Sequence, residues 1–432
     1  MSEEQKIFAN TTRCDSWERE LSSNQLSTRS PDSSKLNSKD YDCRYCQSDN
    51  LDVLFHFPKT FFWYGVENSF LEQNITLKYS DATIWFCNDC GFIGAPVSER
   101  LRNQLNTYYQ SPYSVPGATP GQDSNYSRSL VEGFFSSFSK LEPGWIPQKV
   151  LEIGCQRGYL LNEFRVRGAK RVVGIEPGQV QPWVDESGFV LDIRQGFLSR
   201  DILDEKDFDL VYSLQVLEHV EDPNEFLKII YDSLKMGGKL HLAVPNEFYS
   251  LKVGNIGMFL FQHLNYFTPE TLQSLLNKNN FKVTGLISSR DKELLVVAQK
   301  MPLNWGSSGT SLVKENMRNL LKGYKNKVQE KLNFIRILSG RTKDEILGFY
   351  GVAGTSNIFS WISELGERPV AVFDSDSTTW GKQFGGVPCR VQSPEELASI
   401  KNIVPVPFRL QGEIAEYLEA RKGKNFRVHR LY

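Results

Sequence analysis

KVLEIGCQRGYLLNEF, residues 149–164, is the stretch on which the reading of this chain turns. Its first half is a short apolar run that ends at Ile153, and its second half takes up helical spacing near Gly158. Gly154 and Gly158 therefore fall in a strand-to-helix turn. Glycine there removes the Cβ that would keep a ligand from the backbone, and it permits angles that other residues avoid. Open α/β sheets bind their ligands at the carboxyl ends of strands, where such a turn lies. Eighteen residues beyond the second glycine, RVVGIEP (171–177) brings Glu176 to the tip of the next strand. A carboxylate at that tip can accept hydrogen bonds from both ribose hydroxyls of an adenosine.

The pattern continues outward. FDLVYSL (208–214) and GKLHLAVP (238–245) read as further buried strands separated by helical or turn segments, the mark of a parallel sheet. This block opens with a helix predicted over 127–140 and closes near Gln299. Residues 311–346 have the apolar spacing of one long or two shorter helices. From Ile346 a second strand, glycine turn and helix appear in GFYGVAGTSNIFSWISEL (348–365), then a strand, PVAVFD (369–374). Gly351, Ala353 and Gly354 form its turn and Asp374 ends its second strand, predicting a smaller doubly wound domain. The spacing falls short of the full dinucleotide fingerprint. Thr355, Ser356 and Asn357 stand where a helix start could meet a phosphate.

At 432 residues the chain should form two to three packed units. Lysine plus arginine (50) nearly cancels aspartate plus glutamate (51), so no global field favours a nucleic acid or an acidic membrane. No apolar run approaches the roughly 20 residues that span a bilayer, and the N-terminus has no signal-like stretch, so a cytoplasmic protein is expected. Residues 1–39, rich in Ser, Asn, Asp and Lys, are expected to be a flexible leader. The seven cysteines do not form a disulfide scaffold. Cys43-Arg-Tyr-Cys46 and Cys87-Asn-Asp-Cys90 instead put four thiols on two tight knuckles, the spacing of a closed structural Zn²⁺ site. Zinc would support a β-rich module too small to build much core of its own. The linker TYYQSPYSVPGATPGQDSNYS (107–127) follows. The expected organisation is a leader (1–39), zinc module and linker (40–125), central α/β core (126–300), helical connector (301–345) and C-terminal Rossmann-like domain (346–432).

Glu152, the Gly154/Gly158 pair, Glu176 and the segment FDLVYSLQVLEHVEDPNEFLKIIYDSLKMGGKLHLAVP together resemble class I S-adenosylmethionine methyltransferases over about 150 residues. That resemblance implies a Rossmann-like core in which Glu152 belongs to the cofactor site and Gly154 and Gly158 lie under the methionine portion. It puts Glu176 on the ribose, Gly196 and Phe197 beside the adenine, and Gln215 at the cofactor floor. From Cys43 onward, the order of cysteine pairs, core, HLNYFTPETL (263–272) and YGVAGTSN…VFDSD…GKQFGGVP looks like the sugar C-methyltransferase family. The likeness implies a small-molecule acceptor, a nucleotide-linked keto-deoxysugar methylated at carbon, and a monomer or homodimer. It also implies His263 as the base that deprotonates the carbon. Leu260 and Gln262 depart from the tyrosine and glutamate of that family's element. Tyr109 and Tyr113 lie near the position of an active-site tyrosine, and His219 in LEHVEDP lies by the substrate opening. Two alternatives stay open: O- or N-methylation of another small metabolite, and a non-catalytic zinc- and cofactor-binding protein.

Overall fold

The computed structural model describes residues 41–61, 79–110, 125–179, 184, 188–255, 258–260, 262–288, 293–303, 305, 310–342, 345–352, 370–381, 390–407, 410–421 and 426–431. The leader, Tyr113 and the Thr355–Asn357 loop lie outside them.

Three strands come first, β1 (Leu51–Phe61), β2 (Tyr79–Cys87) and β3 (Ile93–Gly94), with the two cysteine pairs at one end. Helix α1 (Glu99–Tyr109) follows, within what reads from sequence as approach and linker. Ser98 caps it, its side chain accepting from the Leu101 amide, and Leu101, Leu105 and Tyr108 form its buried stripe. Helix α2 (Asn125–Leu141) leads into the central block.

That block runs β4 (Lys149–Ile153), α3 (Tyr159–Val166), β5 (Arg171–Glu176), β6 (Asp192–Gln195), β7 (Phe208–Leu214), α4 (Pro223–Ser233) and β8 (Leu234–Pro245). It continues through α5 (Glu247–Val253), β9 (Asn265–Tyr266), α6 (Pro269–Lys278), β10 (Phe281–Ser288) and β11 (Glu293–Lys300). Seven of these strands form one sheet in the order β10-β11-β8-β7-β4-β5-β6. Its pairings from β8 through β6 are parallel, and β11 enters antiparallel between β8 and β10. A sheet covered on both faces needs apolar residues on both sides of each strand, so Val150, Leu151 and Ile153 follow one another without alternation. Phe134, Phe138 and Phe164 from α2 and α3 fill one side. Phe226, Leu227, Leu272 and Leu276 from α4 and α6 fill the other. This is the class I methyltransferase arrangement, a Rossmann-like α/β fold. Strands β4 and β7 are neighbours although β5 and β6 come between them in sequence, and the carboxyl ends part there into a crevice.

The unit boundaries expected from sequence are not packing boundaries. Strand β9, from the central block, completes the N-terminal sheet as β1-β2-β3-β9. Phe92 packs edge-on to Phe267 at 5.7 Å and joins Cys43, Cys87 and Cys90 to the core beneath the large sheet. Residues 310–341 form one continuous helix, α7 (Thr310–Arg341). Its stripe of Met317, Leu321, Tyr324, Val328, Leu332, Ile335 and Leu338 binds the N-terminal sheet to the C-terminal one. The latter contains β12 (Leu347–Tyr350), β13 (Val370–Phe373), β14 (Val391–Gln392), β15 (Asn402–Pro405) and β16 (Arg427–Val428), all parallel, in the order β14-β13-β12-β15-β16, with α8 (Gln411–Ala420) against it. Among the described residues, no helix is long and apolar enough to cross a membrane.

Candidate functional site

A cavity of about 520 Å³ lies over the crevice, and its wall brings together much of what the sequence singled out. Gly154, Glu176, Gly196, Phe197 and Gln215 line one end, and His219, Leu260, Gln262 and His263 line the other. Helix α1 adds Arg102, Leu105, Tyr108 and Tyr109 to the wall.

At the first end the turn after β4 is built from left-handed residues, Gly154 at φ +77°, Gln156 at +48° and Gly158 at +79°. A Cβ on Gly154 would lie 2.5 Å from Val216 Cγ2, so the turn admits no side chain there without displacing the opposite wall. Gly158 caps α3 and is not among the lining residues; the place of its missing Cβ faces Leu191 and Ile193. Glu176 is only 1% exposed, yet its carboxylate stands at the cavity floor. Oε2 accepts from the Gln156 amide and Oε1 from the Gly178 amide, both at 2.8 Å. Two such bonds lock the carboxylate to the turn. Asp374 is wired in the same way in the C-terminal sheet, accepting from the Val352 and Asp376 amides at 2.8 Å.

Glu152 lies elsewhere. Its side chain turns into the sheet interior, where Tyr212 donates to Oε2 at 2.7 Å, and it does not line the cavity. Burial pushes its carboxyl up to about 8, with Tyr212 opposing, so it is uncharged at neutral pH. Phe197 is 39% exposed with its ring on the cavity wall, and Gln215 sits at φ +56° after β7.

At the second end two segments far apart in sequence meet. Leu217–His219 is a 3₁₀ turn after β7, and Gln262–Leu264 precedes β9. The Leu264 amide donates to Glu218 O at 2.7 Å, and Asn265 Nδ2 donates to Leu217 O and Val220 O at 3.0 and 2.7 Å. This clamp sets the His219 and His263 rings 4.8 Å apart, nearly perpendicular. His219 Nδ1 lies 2.9 Å from Gln262 O, and a carbonyl only accepts, so Nδ1 carries the proton and Nε2 keeps its lone pair. Burial lowers this imidazole to about 4, and it is neutral at physiological pH. The Tyr109 hydroxyl also lies 2.9 Å from Nδ1, tying α1 to the site. Arg102 Nε donates to Glu221 Oε2 at 2.7 Å, fastening the helix to the rim a second time.

Glu218 is the cavity residue that sequence reasoning missed. It is 1% exposed, it lines the cavity, and neither oxygen has a hydrogen-bond partner among the described residues. Its place in LEHVEDP gives no signal, since a glutamate in a helical turn ordinarily faces water.

The four cysteines converge outside this cavity. Cys43 Sγ lies 3.6 Å from Cys90 Sγ and Cys46 Sγ 3.5 Å from Cys87 Sγ. A tetrahedral Zn²⁺ with bonds of about 2.3 Å separates its sulfurs by about 3.8 Å, so the donor set fits such an ion with little movement. The residues after each knuckle, Gln47 (φ 66°) and Gly91 (φ 80°), are left-handed and turn the chain back around the sulfurs.

The sequence model of a methyltransferase domain family matches residues 128–286. Curated relatives include the ubiquinone biosynthesis O-methyltransferase of Pseudomonas savastanoi pv. phaseolicola, 34% identical over 111 residues, covering 24% of this chain and 47% of that protein. The mitochondrial ubiquinone biosynthesis O-methyltransferase of Dictyostelium discoideum is 22% identical over 162 residues, covering 32% and 50%. The chain thus spans about half the length of the curated relatives it matches. Among solved structures, an S-adenosylmethionine-dependent methyltransferase from Mesorhizobium loti aligns with 39% of this chain and all of its own, at 16% identity and TM-score 0.31.

Proposed function

We propose that this protein transfers the methyl group of S-adenosylmethionine to a small-molecule acceptor held beneath α1. The observation that carries the reading is one continuous cavity with a carboxylate-locked glycine turn at one end and two imidazoles, the His263 one buried and the His219 one half-buried, at the other. The cofactor would supply an electrophilic sulfonium methyl. Glu176 would accept from the ribose hydroxyls, Gly154 would let the chain approach the methionine portion, and Phe197 would lie against the adenine. The chain's part is then positioning and water exclusion, with α1 as roof. The imidazoles of His219 and His263 would stand where an acceptor must lose its proton. We further assign the four cysteines a structural Zn²⁺.

For the acceptor, the resemblance from Cys43 onward favours a carbon beside the ketone of a nucleotide-linked deoxysugar. Leu260 in the cavity wall and the amide of Gln262 favour a second reading, methylation of an oxygen, whose proton is more readily lost. The curated relatives named as O-methyltransferases agree with it. Incubation with methyl-labelled cofactor and a panel of nucleotide keto-sugars and hydroxylated metabolites tests both. Label on carbon supports the first and label on oxygen the second, and no product together with no cofactor binding refutes methyl transfer altogether.

A further inference from the structure

We propose that Glu218, His219 and His263 form a binding site for a divalent transition-metal ion at the acceptor end of the cavity. One ligand atom from each lies within 4.8 Å of the others, a spacing that small side-chain rotations close onto a common ion.

Glu218 is the first argument. A carboxyl group buried to 1% exposure, with neither oxygen hydrogen-bonded among the described residues, loses its hydration for nothing in return, and proteins rarely leave such a group without a purpose. His219 Nε2 lies 3.7 Å from Oε1, which is too long for a hydrogen bond. A cation between them would satisfy both.

His219 is the second. Backbone-directed Nδ1 leaves Nε2 as a lone-pair donor facing Glu218, the arrangement in which an outer partner fixes the tautomer and orientation of a ligating imidazole. His263, 9% exposed, stands across from it. The Asn265 clamp and the Leu264 amide hold the two segments in place, so the site is assembled before an ion arrives.

Two imidazoles and one carboxylate suit Mn²⁺, Fe²⁺, Co²⁺ or Zn²⁺ and leave coordination positions open. Glu218, His219 and His263 all line the cavity, so open positions would be reached from it. An acceptor bearing an oxygen at or beside the methylated atom would fill them, binding as its anion with its proton passed to water, because the ion lowers the acceptor's pKa. With the ion present, His263 is a ligand and the ion takes the place of an imidazole base. This description of the acceptor rests on the methyl-transfer reading, whereas the metal site does not.

The test is a titration of the full chain, its cysteine zinc intact, with Mn²⁺ followed by electron paramagnetic resonance of the free ion. One Mn²⁺ per chain is expected, with affinity weakened at least about tenfold in both Glu218→Gln and His263→Gln. If wild-type protein retains no Mn²⁺, Co²⁺ or second Zn²⁺, or if Mn²⁺ binds equally to both variants, the proposal fails. The wild-type titration decides the matter even where a variant misfolds. Calorimetric titration with S-adenosylmethionine, run in parallel, separates the two readings. Mn²⁺ binding without cofactor binding leaves the metal site standing and removes methyl transfer, and cofactor binding without Mn²⁺ binding does the reverse.

Discussion

Replacing Glu176 by glutamine tests the cofactor end most directly. The carboxylate accepts one backbone N–H on each oxygen, from Gln156 and Gly178. An amide has one accepting oxygen, so its NH₂ must face one of those N–H groups and the turn must shift. Hydrogen bonds to a charged group contribute about 1.5–3 kcal/mol each and neutral ones roughly half that. Weakening two ribose bonds and loosening the turn should cost about 2–4 kcal/mol of cofactor binding. At about 1.4 kcal/mol per tenfold, the Kd for S-adenosylmethionine should rise on the order of a hundredfold. Calorimetric titration at 15 °C with S-adenosylmethionine and its demethylated product, with circular dichroism to confirm folding, reads this directly. Glu152→Gln is the control. Its carboxyl is already neutral and takes a hydrogen bond from Tyr212 that an amide oxygen accepts equally well, so affinity should move by less than about threefold. A folded Glu176→Gln variant with parental affinity, or an equal loss in both variants, refutes the placing of ribose on Glu176.

Gly154→Ala should destabilise the chain by about 2–4 kcal/mol in urea unfolding and abolish measurable cofactor binding, because φ +77° is strained for alanine and the new methyl group meets Val216 Cγ2. The contribution of Glu152 to stability should fall as pH rises from about 5 to 8.5. Glu152 titrates near 8 when folded and near its ordinary 4.5 when unfolded, so the folded state holds the extra proton in this window and loses that advantage above it. Glu152→Gln should flatten the slope between the urea midpoints at pH 6 and pH 8.5. A thiol-reactive mercurial should release one zinc per chain and lower the unfolding temperature, while Cys90→Ser should release less, as expected if four sulfurs share one ion.

Much of the fold was legible because its signals are local. The run from Lys149 to Glu163 carries its own strand, turn and helix, and the left-handed angles at Gly154 and Gly158 are those their residue type permits. Each cysteine pair is likewise fixed within a few residues of chain. Reading failed where an element depends on a partner. Helix α1 lies in and just before a stretch rich in Tyr, Ser, Pro and Gly, and its Ser98 cap and Leu101, Leu105, Tyr108 stripe gain meaning only against the wall they cover. Glu152 read as a cofactor ligand from its place beside Ile153, yet alternation along β4 sends it toward Tyr212. Tyr109 could be named as a candidate, but its bond to His219 could not be foreseen.

The amino-acid order by itself determined the parallel α/β core, the glycine turn and the two thiol knuckles, since period, residue size and short covalent spacing constrain those before any long-range contact forms. Tertiary structure alone decided that Glu218 is stripped of water and that two histidines from separate segments share one cavity. The reason is that β9, from the central block of sequence, pairs with β3 of the N-terminal sheet, and no local rule of propensity or spacing specifies a contact between chain segments so far apart.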